Sequence, residues 1–69
     1  MSHHTYKHIE LTGSSEVCSD DAIRNAIESA SKSIKNMDWF EVVETRGHIS
    51  ESMIKHWQVT IKIGFRLEN

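Results

Sequence analysis

From Trp57 to Leu67 the sequence alternates without a fault: Trp57, Val59, Ile61, Ile63, Phe65 and Leu67 are apolar, and Gln58, Thr60, Lys62, Gly64 and Arg66 stand between them. A period of two sorts side chains onto opposite faces only in an extended strand. A strand of this kind needs a cover on its apolar side, so the pattern demands a sheet with something packed against one face. Trp57 shares the parity of the covered set and is expected in the core. Gln58, Lys62 and Arg66 are left on the other face, open to solvent or to another subunit.

The cover is a single helix. Ile23, Ala26, Ile27, Ala30 and Ile34 recur along one stripe, with Arg24, Asn25, Glu28 and Ser31 elsewhere. Ser19 is the expected N-cap, Asp20 and Asp21 complement the dipole in the first turn, Lys32 and Lys35 stand near the far end, and Asn36 suits a left-handed stop. Ahead of the helix, Lys7, Ile9 and Leu11 alternate with His8, Glu10 and Thr12, a half-buried strand that Gly13, Ser14 and Ser15 are expected to close as a turn. Beyond it, Met37 to Ile49 is rich in β-branched and aromatic residues and reads as a long strand ending in a hairpin at Ser50 to Ser52. The order β-α-β-β makes this an α+β chain, with residues 1–69 as a single domain. A right-handed crossover keeps the first two strands parallel and apart, and the hairpin makes the last two antiparallel. The last strand therefore lies in the middle of a three-stranded antiparallel sheet of order 1-3-2, wrapped around the helix.

A chain of 69 residues buries only about 60% of the surface its unfolded form exposes, so its own core is marginal. Cys18 is the only cysteine, which excludes an internal disulfide, and no Cys/His grouping has the spacing of a structural zinc site. Association of copies is the remaining source of stability, and two long edge strands without proline point the same way. No apolar run approaches the ~20 residues of a membrane span and no signal peptide opens the chain, so a cytoplasmic location is expected. The formal charge of −2 offers no general attraction to nucleic acid or to an anionic membrane.

Catalytic chemistry finds little to work with. His3, His4 and His8 are candidate metal ligands by type, but adjacent strand positions point opposite ways and no metal site is expected. Cys18 precedes Ser19, Asp20 and Asp21 without a basic neighbour, the reverse of what activates a thiol. Asp38, Glu41 and Glu44 suit a solvated strand face better than an acid/base pair. The chain is not expected to be an enzyme.

Asp38-Trp39-Phe40-Glu41-Val42-Val43-Glu44, the following Arg46-Gly47-His48-Ile49, then Gln58-Val59-Thr60 and Gly64-Phe65-Arg66-Leu67 closely resemble the dodecins, as do Tyr6-Lys7, Asp21-Ala22-Ile23 and Ala30-Ser31-Lys32. The resemblance implies a hollow homododecamer that binds and stores flavins in stacked pairs and quenches their photochemistry. It implies that Trp39 stacks on the isoalloxazine ring and that Gln58 hydrogen-bonds the ring edge. A carboxamide is both donor and acceptor, as the alternating carbonyl and N–H groups of that edge require. Arg46 matches the arginine of the bacterial branch, whose usual ligand is FMN; riboflavin and FAD share its ring, and coenzyme A is a candidate second ligand. Arg66 is a candidate phosphate contact.

Parity poses a difficulty, since Trp39 and Arg46 lie seven residues apart and would point to opposite faces of a regular strand. Either a bulge near Thr45 to Gly47 re-aims Arg46, or the arginine serves a pocket of a neighbouring subunit. The rival function is a small β-α-β-β interaction module for nucleic acid or protein. Such modules stack bases on several aromatics among basic residues, which this sequence lacks.

Overall fold

The computed structural model describes residues 4–67. Strand β1 (Tyr6–Ser15) leads to helix α1 (Ser19–Ser31), followed by β2 (Met37–Ser50) and β3 (Met53–Arg66). The sheet has the order β1-β3-β2, and both pairings are antiparallel. The alternation of β3 is realised as expected over its centre, where Val59, Ile61 and Ile63 are fully buried beneath the helix. Burial of side chains of this size contributes about 1.5–3 kcal/mol each.

The helix meets the sheet through its smallest residues. Ala22, Ala26 and Ala30 are buried against β1 and β3, while Ile23, Ile27 and Ile34 flank them half-buried. The stripe is thus centred about one position away from the expected run of isoleucines. Gly13 explains the close approach, because a Cβ there would stand 2.1 Å from the Ala22 carbonyl oxygen and 2.7 Å from the Ala26 Cβ. Gly13, Ser14 and Ser15 are therefore not a turn. They continue β1, pairing with Val59, Gln58 and Trp57 of β3.

Two further expectations are corrected at the helix ends. The N-cap position belongs to Cys18, whose side chain makes no cap, and Ser19 is already helical. Ser15 supplies the missing anchor from β1: its Oγ donates to Asp21 Oδ2 at 2.7 Å and accepts from the Val17 N–H at 2.9 Å. At the other end the N–H groups of Ser33 and Ile34 both donate to the Ala30 carbonyl. Asn36 adopts the left-handed conformation, φ 64°, but beyond the helix, at the entry to β2. Its carbonyl accepts the Arg66 N–H at 3.1 Å.

Beyond Trp57, which pairs with Ser15 at the end of β1, the sheet thins to two strands. The β2–β3 hairpin runs on to a turn at Glu51 and Ser52, both with positive φ. The molecule is accordingly long, 56 × 20 × 13 Å with a radius of gyration of 14.4 Å, where a compact chain of this length would have about 11 Å. Trp57 is only half-buried and lies outside the core cluster, because the helix does not extend over it.

Candidate ligand-binding site

The face of the sheet away from the helix carries the residues singled out in the sequence. In β3 these are the even positions Gln58, Thr60, Lys62, Gly64 and Arg66, and β1 sets Ser14, Thr12, Glu10, His8 and Tyr6 opposite them in turn. Thr12 and Thr60 share a hydroxyl hydrogen bond of 2.8 Å across this face.

Strand β2 reaches the same face at both ends through an irregularity. Val42 pairs with Ile61 and Glu44 with Thr60, so Val43 is an extra residue without a partner. This bulge shifts the parity between Trp39, opposite Gly64, and Arg46, opposite Gln58. The expected bulge near Thr45 to Gly47 is thus found earlier, at Val43, and glycine is not what permits it. A second extra residue, Asp38, precedes Trp39, and a third, Lys55, interrupts β3 near the turn.

The site residues fall into two groups. At one end, the indole of Trp39 crosses β3 over Gly64 and approaches Tyr6 and His8 of β1, each with ring centroids 6.4 Å away. Arg66, opposite Tyr6, lies two positions along β3 from Gly64. At the other end, Arg46 faces Gln58, and its guanidinium donates to the Glu44 carboxylate. Gly64 lies six positions along β3 from Gln58, about 20 Å of strand. No fused three-ring heterocycle spans that length, so one chain cannot bring Trp39 and Gln58 to the same ring.

Tyr6, His8 and Gly64 join Trp39 at this end, a grouping that the sequence pattern does not display. Gly64 was detectable in principle, as the one polar-face position of the last strand without a side chain, where a close approach is to be expected. Of the three candidate histidines, His3 lies outside the described residues and His8 lies against Trp39. Among the described residues no three His, Cys, Asp or Glu side chains converge as a metal site would require. No helix among the described residues is long and apolar enough to cross a membrane.

This topology leaves one sheet face open, with an aromatic shelf at its edge of the kind that suits a small planar ligand. Comparison with known proteins gives the chain's kinship. A sequence model of the Dodecin family matches residues 5–68. The dodecin of Thermus thermophilus is 48% identical over 63 residues, which make up 91% of each chain. The structure superposes on the dodecin of Streptomyces coelicolor with a TM-score of 0.94 at 48% identity, covering 100% of this chain and 99% of that one. For the dodecin of Streptomyces davaonensis the TM-score is 0.93 at 51% identity, covering 99% and 100%. Solved structures of the T. thermophilus dodecin include one in which a tryptophan is replaced by phenylalanine and two in which an arginine is replaced by alanine. The chain belongs to the dodecin family. The family is one of small, non-enzymatic, flavin-binding proteins, and the kinship supports small-molecule binding and homo-oligomerisation for this chain.

Proposed function

We propose that the protein binds and stores flavin, with FMN as its ligand, in a cytoplasmic homododecamer. Trp39 stacks on the isoalloxazine ring, and Gln58 and Arg46 of a different copy meet the ring edge. Arg66, beside the tryptophan, is the phosphate contact. Rings stack in pairs between tryptophans of related copies, and electron donation from the indole quenches the excited flavin.

The observation that carries this reading is the placement of Trp39. Its indole lies across the open face and is 40% exposed, which leaves a flat apolar surface where a ring can stack. Two further points support it. The roughly 20 Å between the tryptophan and glutamine positions is accounted for if each pocket draws on more than one copy. The substituted arginines of the T. thermophilus dodecin follow its tryptophan by seven and twenty-seven residues, the spacing of Arg46 and Arg66 after Trp39. A base-stacking module is not favoured, since Glu10, Glu41 and Glu44 offset Arg46, Lys62 and Arg66 on the face of Trp39 and leave no basic track for a phosphate backbone.

Flavin titration tests the proposal. Stacking and a carboxamide's hydrogen bonds are each worth about 0.5–1.5 kcal/mol, the former beyond area burial. Trp39→Ala is expected to weaken binding about tenfold or more, once lost contact area is added, and to restore much of the bound flavin's fluorescence. Gln58→Ala should weaken binding and leave the quenching in place. Unchanged affinity and quenching in Trp39→Ala would refute the reading. Identifying the small molecules released on denaturing the native protein distinguishes FMN from riboflavin and FAD, and reads out coenzyme A at the same time.

A further inference from the structure

Trp39 sits in the edge strand β2, and its ring reaches over the other two strands. A Cβ built on Gly64 would lie 2.1 Å from the indole carbons Cε2 and Cζ2 and 2.7 Å from Cδ2. The six-membered ring therefore occupies the space that any side chain at position 64 would need. Gly64 is buried although it lies on the open face, because the indole covers it. No glycine of the chain has a positive φ, so conformational freedom does not account for the residue; room does. Past Gly64 the indole meets Tyr6 and His8, tilted against it by 55° and 45°. These two neighbours of β1 flank Gly64 at the positions paired with Arg66 and with Gly64 itself.

We infer that Gly64 is a positioning residue of the ligand site: by lacking a side chain it seats the Trp39 indole across the sheet against Tyr6 and His8, leaving the opposite side of the ring for a planar ligand. The seat presets the stacking plane before ligand arrives, so less ordering is left to be done on binding. Its use for flavin rests on the function proposed above, but the seat itself does not.

The test is Gly64→Ala, read in two ways. In a Trp57→Phe background Trp39 is the only indole, so near-ultraviolet circular dichroism of the ligand-free protein reports whether that indole is held in one orientation. Gly64→Ala is expected to collapse the indole bands, and to weaken flavin binding about threefold to tenfold, the scale of a stacking interaction. In a Trp39→Ala background the same glycine change should have no further effect on affinity, since there is no ring left to seat. Unchanged indole bands and unchanged affinity in Gly64→Ala would overturn the inference. Should Gly64→Ala fail to assemble, adding Trp39→Ala is expected to restore assembly by removing the clash, and failure of that rescue also overturns it. If the wild-type protein binds no flavin, the functional proposal falls while the dichroism still decides the seat.

Discussion

The two halves of the β2–β3 hairpin are similar in sequence character and opposite in fate. Under the helix, Ile61 and Ile63 are at most 1% exposed, whereas Ile49 and Met53 near the turn are 74% and 72% exposed. Ile49 and Ile54 form a cross-strand pair on the helix side of the sheet, past the reach of α1. Alternation therefore announces which side chains need cover but not what will cover them. The covered half obtains it from its own chain. An isolated two-stranded ribbon is marginal in water, so the outer half, like the exposed Phe40 and Val42 of β2, is placed to obtain it from other copies.

The largest effect should come from spoiling the outer half. Ile49→Asp combined with Ile54→Asp would place charges where copies are expected to meet, and the particle should fall to small species in a native mass measurement. An intact dodecamer would show that the arm is not part of any seam. In the covered half, Ile61→Ala removes a fully buried side chain, for which a loss of about 2–5 kcal/mol is usual. Denaturant unfolding at fixed protein concentration should register it; a loss below ~1 kcal/mol would mean that contacts between copies, rather than the helix, carry the fold. The smallest effect is expected for Glu44→Gln. Its ion pair with Arg46 is more than half exposed on both sides, and such pairs contribute about 0–1 kcal/mol. The thermal midpoint should hardly move at any salt concentration, and a marked drop at low salt would reveal a structural role for Arg46.

Strand order, helix and the open face were all legible, because each follows from a periodicity that extends over many residues. Gly13 to Ser15 misled because their local chemistry is that of a turn, while a helix some residues later makes use of the missing Cβ and of the Ser15 hydroxyl. The same close approach explains the helix stripe. With the backbones drawn together by Gly13, only alanine fits at the centre, and the isoleucines are displaced to the sides. Trp57 has the right parity for the core, but parity says nothing of where the helix stops. For the site, Trp39, Arg46, Gln58 and Arg66 do share one face, though their division between its two ends emerges only from the register. The strand order places Tyr6 and His8 across β3 from β2, but tying them to Trp39 needs the register, which sets Gly64 between His8 and Trp39.

The unpaired Val43 also says something about how such a face can change over generations. In a strand, the face on which a residue stands is one bit of information carried by its count from a reference point, and the bulge inverts that bit for everything from Glu44 to the turn. Loss of the Val43 codon would close the bulge and leave Glu44, Arg46 and His48 opposite Thr60, Gln58 and His56 on the same face, in a strand that alternates regularly from Trp39 to the turn. The composition of this face is thus set by which residue of β3 each residue of β2 pairs with rather than by counting alone, and relatives one residue shorter between the tryptophan and the arginine are expected to keep the same face without the bulge.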